Sequence, residues 1–243
     1  MKNIYNFDKF ELESDSIWSF PDRGNWATHK GDYRGNCSPY VVRNILLRYS
    51  KKGDIVLDQF LGSGTTMIEA KILERKGIGV DINNYPLSIA KERLKFGDNS
   101  ESIKLYRGDA RKLNFINNSS IDLIFTHPPY SNIIKYSKNI EGDLSLVNYS
   151  EFVNDINEVA SESFRVLKRN KFCCVLIGDI RVDGYIKPLG FELMNVFLDK
   201  GFLLKEIIVK EQHNTKMYDY WKEKSIKYNF LLIAHEYIFV FKK

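Results

Sequence analysis

The chain of 243 residues has only three cysteines, and no pair of them forms a CxxC: Cys37 stands alone, and Cys173 and Cys174 are adjacent inside the apolar run FCCVLIG. Thiols in such a run read as small buried hydrophobes, which leaves redox and thiolate-metal chemistry without a pattern. The four histidines are scattered without metal-ligand spacing, so no metal is expected. No apolar run approaches the ~20 residues that cross a bilayer, and the N-terminal MKNIYNFDKFELESD lacks the basic-then-apolar order of a secretory signal. A cytoplasmic protein with no membrane partner is expected. Proline is scarce, and no Ser/Gly linker, repeat or low-complexity tract interrupts a composition that is 44% hydrophobic. One domain over residues 1–243 is therefore expected, with 1–37 as an N-terminal arm and 38–243 as the core. A formal net charge of +5 suits a polyanionic partner but is too small to require one.

What is present is organised around DIVLDQFLGSGTT, residues 54–66. Ile55, Val56 and Leu57 read as a buried strand, Gly62 and Gly64 allow a tight turn, and a helical pattern begins at Thr65. Strand, glycine turn and helix together make a ligand loop. A phosphate-binding P-loop needs a lysine before its hydroxyl residue, but Gly64 is followed by Thr65 and Thr66. A dinucleotide fingerprint wants a third glycine where this chain has Met67. An S-adenosylmethionine (SAM) loop fits best: Asp58 at the strand end lies near the ligand's amino group, and the Gly62 to Gly64 backbone passes beneath it. Asp81, ending the strand of GIGVDI, can accept hydrogen bonds from ribose hydroxyls.

Ser38 and Pro39 open a helix with an apolar stripe from Val41 to Leu47 that ends near Gly53, and Asn83 or Asn84 with Pro86 opens another, running to Gly97. Residues 102–107 form a third strand leading into Asp109, and Ile121–Thr126 a fourth that delivers His127, Pro128, Pro129 and Tyr130 to the ligand-binding edge. Two prolines stiffen that turn and hold its carbonyls outward as acceptors. A helix begins at Tyr149, a fifth strand spans 171–178 with Asp179 and Arg181 near the cleft, and a helix over 189–200 closes at Gly201. A sixth strand runs from Phe202. FLLIAHEYIFVF, from Phe230, is expected to insert as an antiparallel last strand. This alternation predicts a parallel sheet whose ligands bind beyond the carboxyl ends of the strands. Lys135, Tyr136 and Lys138 in the loop 131–148, and Lys216, Tyr218, Trp221 and Lys222 in the loop 211–228, interleave basic and aromatic residues that can grip phosphates and stack on bases. Residues 16–36 read as an irregular arm that either packs aromatics on the core or covers the ligands.

Over about residues 16–241 these motifs resemble the SAM-dependent DNA amino-methyltransferases, which modify N6 of adenine or N4 of cytosine. The resemblance implies a class I SAM-dependent methyltransferase (Rossmann-like) fold, with a mostly parallel seven-stranded sheet, an antiparallel last strand and helices on both faces. Asp58, Phe60, Gly62 and Gly64 look like the family's cofactor motif, with Thr65, Thr66, Ile82 and Ala110 beside it. Asp81 looks like its ribose-binding acid and Asp109 like its adenine contact. His127, Pro128, Pro129 and Tyr130 stand in place of its (Asp/Asn/Ser)-Pro-Pro-(Tyr/Phe) catalytic motif, and Trp26 to Tyr40 resembles a segment contacting the methionine end of SAM. The family implies a base flipped out of double-stranded DNA, stacked on the motif's aromatic ring, its amine held by the first motif side chain and the following proline carbonyl. The chain departs from that pattern at His127, where a neutral imidazole can accept one hydrogen bond and an imidazolium none. Thr126 before it tilts the expectation toward cytosine N4. RNA as substrate, or a SAM-binding subunit without catalysis, are the alternatives, and a homodimer or second subunit is a possible partner.

Overall fold

The structure is a computed structural model and describes residues 10–97 and 102–243. From residue 10 to residue 37 the arm is irregular apart from the two-residue strand β1 (Ile17–Trp18). Ser38 caps α1 (Pro39–Tyr49), its Oγ accepting from the Tyr40 N–H at 3.3 Å, while Pro39 fills a position whose N–H would have no partner in the helix. β2 (Ile55–Asp58) passes through the glycine turn into α2 (Thr65–Ile72). β3 (Lys76–Asp81) leads into α3 (Asn84–Arg93), capped by Asn83, and β4 (Ile103–Arg107) and β5 (Ile121–Thr126) follow. α4 (Tyr149–Val166) starts with a reciprocal capping box of Asn148 and Glu151. β6 (Leu167–Ile177) begins at the residue after it, earlier than the expected Lys171, because Leu167 is already extended and pairs with Ile121.

A hairpin of β7 (Ile180–Val182) and β8 (Tyr185–Lys187), which the sequence did not suggest, precedes α5 (Leu189–Asp199). Gly201 then takes the left-handed conformation (φ 95°) that ends helices. β9 (Leu203–Glu211), α6 (Tyr218–Lys227) and β10 (His235–Lys242) complete the chain. The expected loop at 211–228 thus contains a helix. The last strand begins at His235 rather than Phe230, since β9 ends at Glu211, the residue paired with His235, and Leu231 is exposed.

The sheet runs β1-β9-β10-β6-β5-β2-β3-β4, eight strands in which short β1 is the one beyond the seven expected. β2, β3, β4, β5 and β6 pair in parallel, and β10 inserts antiparallel between β9 and β6 as expected. Strand periodicity sorts the core into two layers. Leu57, Ile124, Cys173, Val175, Phe239 and Phe241 face α4 and α5, packing with Phe152, Ile156, Leu193 and Phe197. Their neighbours Val56, Leu123, Phe125, Cys174, Leu176, Ile238 and Val240 face α1 to α3, with Val41, Ile45, Met67 and Ala90. β5, central and covered on both faces, is buried along its whole length, as its apolar Ile121, Leu123, Ile124 and Phe125 require. The parallel strands end at one rim, bringing Asp58, Asp81 and Thr126 together, and antiparallel β10 starts there with His235 and Glu236. Among the described residues no helix is long and apolar enough to cross a membrane.

Candidate active site

At that rim lies a cavity of about 290 Å³, close to the lower end of the ~300–1,000 Å³ usual for small-molecule sites. Asp58, Phe60, Gly62, Thr65, Thr66, Asp81, Ile82, Asp109 and Ala110 all line it. Gly64 does not. With φ 90° it turns the chain into α2, and a Cβ there would lie 2.9 Å from that of Ala90, so it is needed for the close approach of α2 and α3. The buried Asp58 carboxylate accepts the Phe60 N–H at 3.1 Å; burial pushes the carboxyl up to about 7 despite that bond and the Thr66 hydroxyl. The Asp81 oxygens accept the Asn83 N–H (2.9 Å) and the Gly62 N–H (3.0 Å), which fixes the side chain and leaves each oxygen a further lone pair. Burial raises Asp81 to about 6. Asp109 is more committed than expected: Arg111 forks onto both its oxygens, with Nη2 at 2.7 Å, and reaches Asp155 with Nη1.

The arm also contributes to the cavity, with Tyr33, Arg34, Gly35, Asn36 and Cys37 in the lining. The Thr65 hydroxyl donates to Asn36 Oδ1, and the Tyr33 ring stacks on Tyr136 at 6.2 Å. The arm is anchored at Glu69 of α2, which is fully buried and accepts from Trp26 Nε1 (2.6 Å), His29 Nε2 (2.8 Å) and Arg43 Nε (2.7 Å). Two buried polar atoms of the lining residues, Ser63 Oγ and Gln59 Nε2, have no partner among the described residues. Burying such groups without a hydrogen bond is costly, so the cavity fits a polar ligand that would meet them. An acid for an ammonium group, an acid for a diol and unmet donors beside them match the groups of SAM.

His127, Pro128, Pro129 and Tyr130 line the same cavity. Tyr130 donates to Glu236 Oε1 at 2.6 Å, His127 Nε2 lies 3.0 Å from the Tyr130 hydroxyl, and Lys210 Nζ bonds Glu236 Oε2 at 2.9 Å. Gly178 makes room: a Cβ there would press on the Tyr130 ring at 3.1 Å. Burial holds the His127 ring below the ordinary imidazole range, with Glu236 opposing and Lys210 reinforcing. Burial works against the charge on Glu236, while the His127 ring, Lys210 and the Tyr130 hydroxyl together hold the carboxyl below its usual range. His127 contributes to that only when protonated.

Of the expected nucleic-acid residues only Tyr136 lines the cavity. Lys135 and Lys138 are exposed on their loop, and Lys216, Tyr218, Trp221 and Lys222 are exposed on or beside α6, none of whose residues is buried. Asp179 and Arg181 are absent from the lining as well: Asp179 Oδ1 accepts the Gly190 N–H, and Arg181 bonds the carbonyls of Gly184 and Leu231. Sequence reasoning missed Glu236, Gln59, Ser63 and Gln212. Glu236 had a signal, as the one acid of β10.

Residues 2–92 and 121–243 match a family model described as DNA methylase. A second, described as RNA cap guanine-N2 methyltransferase, matches residues 53–178. The Type II methyltransferase M2.LlaDCHI of Lactococcus lactis subsp. cremoris is 48% identical over 101 residues, 40% of this chain and 38% of its own length. The tRNA (guanine(10)-N2)-dimethyltransferase of Methanothermobacter thermautotrophicus is 30% identical over 131 residues, 54% of this chain and 37% of its own length. The chain therefore spans less than two fifths of the length of either relative. A SAM-dependent methyltransferase from Methanosarcina mazei superposes with a TM-score of 0.57 and 16% identity over 82% of this chain and 96% of that one. That likeness gives the fold: a class I SAM-dependent methyltransferase, Rossmann-like. The first family match extends from residue 2 to residue 243 with one gap, and on that extent the chain belongs to the DNA methylase family of N6 and N4 amino-methyltransferases.

Proposed function

We propose that this chain methylates an exocyclic amine of a flipped base in double-stranded DNA, N4 of cytosine ahead of N6 of adenine, with residues 1–243 acting as one catalytic domain. The observation that carries the reading is the shared cavity: Asp58, Asp81 and the His127–Tyr130 turn all line it. SAM bound there would supply an electrophilic methyl group on a sulfonium. Asp58 would hold its ammonium, Asp81 its ribose hydroxyls, and Ser63 and Gln59 would spend their unmet hydrogen bonds on it.

At the His127 turn the target amine must be held with its lone pair turned out of conjugation. Neutral His127 and the Pro128 carbonyl are the acceptors for its two N–H groups, and the Tyr130 ring is the surface on which the base stacks. Positioning and fixed dipoles supply the catalysis, and no covalent intermediate with the protein is needed. The lowered His127 supports the role, because the ring stays an acceptor below the ordinary imidazole value. Methyl transfer is then expected to fall on acidification only as pH drops through that lowered value. The groups facing the ring are Glu236, Lys210 and Tyr130. A single-turnover profile in folded, SAM-bound protein that already declines at neutral pH would contradict the assignment.

Exposed α6, with Lys222, Lys224 and Lys227 beside Tyr218, Tyr220 and Trp221, and the Lys135 to Lys138 loop are the proposed nucleic-acid contacts, alone or with a second subunit. RNA is the second reading, favoured by the match of residues 53–178 to the RNA cap methyltransferases. Incorporation of labelled methyl into duplex DNA, single-stranded DNA and total RNA, measured side by side, separates the two. Duplex DNA is expected to dominate, and exclusive labelling of RNA would reverse the order.

A further inference from the structure

Glu236 is 7% exposed and is the one acid of β10, next to the apolar run at 238–241, and it faces both Tyr130 and Lys210. A buried acid in such a strand is costly unless it is fully engaged, and its engagements point to the active site. The Tyr130 hydroxyl has one proton. At 2.6 Å from a carboxylate oxygen paired with a lysine, that proton belongs in the bond to Glu236. The hydroxyl oxygen can then serve His127 Nε2, 3.0 Å away, only as an acceptor, so Nε2 must carry the ring's proton. In a neutral imidazole that leaves the lone pair on Nδ1.

We propose that Glu236, salt-bridged to Lys210, is a positioning residue that acts through the Tyr130 hydroxyl to fix His127 in the Nε2–H tautomer and so reserve Nδ1 as the acceptor for the substrate amine. This deepens the proposed function and rests on it. It also explains how histidine can stand where the resembling family has Asp, Asn or Ser: those side chains offer an oxygen acceptor directly, whereas an imidazole offers one only in the correct tautomer. Three strands of the sheet collaborate, since His127 follows β5 while Glu236 and Lys210 are register partners on β10 and β9.

The test uses the whole chain with 15N-labelled histidine and long-range 1H–15N correlation spectra at neutral pH, which report which ring nitrogen is protonated. His127 is expected as Nε2–H. In Glu236→Ala the tyrosine proton loses its carboxylate and can turn to Nε2, so the Nδ1–H form should become populated. Single-turnover methyl transfer should then fall ~10–100-fold, the worth of one buried hydrogen bond, while the SAM Kd stays within about twofold. Glu236→Gln keeps an oxygen acceptor for Tyr130 and should restore the wild-type tautomer and most of the rate. Nδ1–H in the wild-type protein overturns the proposal even if the alanine variant fails to fold. So does an unchanged tautomer in a folded Glu236→Ala protein. If the protein methylates no nucleic acid while the spectra behave as expected, the functional reading fails and the tautomer control stands.

Discussion

Replacing Glu69 with leucine removes the acceptor that ties the arm to α2. Its carboxylate is fully buried and receives Arg43 through Nε at 2.7 Å and Nη2 at 3.2 Å, together with Trp26 and His29. Removing one partner of a buried ion pair costs ~3–5 kcal/mol, because the remaining charge keeps its desolvation penalty. The Trp26 and His29 donors lose a charged acceptor, a loss of ~1–3 kcal/mol each that is not additive with the first. A net loss of roughly 5 kcal/mol is expected, large beside the ~5–15 kcal/mol that holds a typical domain together. At an m-value of ~2 kcal/mol/M the urea midpoint would fall by ~2.5 M. Glu69→Gln, which keeps an oxygen and the volume, should lose less than half of that. Because Asn36 meets Thr65 beyond this anchor, SAM affinity should fall with stability, and proteolysis should cut first within residues 23–38. A Glu69→Leu protein within ~1 kcal/mol of wild type, or one whose arm is as protected as before, would refute the reasoning.

Asp58 predicts a pH effect of definite sign. Its carboxyl titrates at about 7 in the folded protein against an ordinary value of 3.8, so between those values the folded chain holds a proton that the unfolded chain has released. Stability of the free protein from this group therefore declines as pH rises from ~4 to ~7, whereas SAM affinity should rise over the upper part of that window as the carboxylate forms to meet the ammonium. Calorimetry in buffers of different ionisation enthalpy should show proton release on SAM binding near pH 6.5, and its absence would count against Asp58 as the ammonium partner. Asp81→Ala should chiefly weaken SAM binding, and Tyr130→Ala should cost ~1–3 kcal/mol of base stacking with SAM affinity retained; equal SAM losses in both would contradict that division. Lys216→Ala with Lys222→Ala should weaken nucleic-acid binding and lower the log–log salt slope by up to about 2; an unchanged slope would remove α6 and its flank from the interface.

The strands and helices that build the rim were legible because their signals are local. Ser38-Pro39 and Asn83 cap their helices as written, and the alternation in β5, β6 and β10 divides the two core layers. The cavity lining around Asp58, Asp81 and the proline turn was legible for a related reason: α/β topology sends the carboxyl ends of parallel strands to one place. α6 was not, because a helix that buries none of its residues has no apolar stripe to reveal it. Gly64 looked like a ligand contact, and only the packing of Ala90 showed that it serves the approach of two helices. Glu236, Lys210 and Glu69 act across 106, 26 and 26 to 43 residues of sequence, separations that no spacing rule reaches.

The central claim, that a methyl group is transferred to a base amine at the junction of the Asp58 loop and the His127 turn, is tested most directly by nucleoside mass spectrometry of duplex DNA incubated with the protein and methyl-deuterated SAM. N4-methylcytosine or N6-methyladenine bearing the deuterated methyl, lost in a His127→Ala variant that still binds SAM, is the expected result. Label on carbon 5 of cytosine, or no labelled nucleoside from protein shown to bind SAM and DNA, would contradict it.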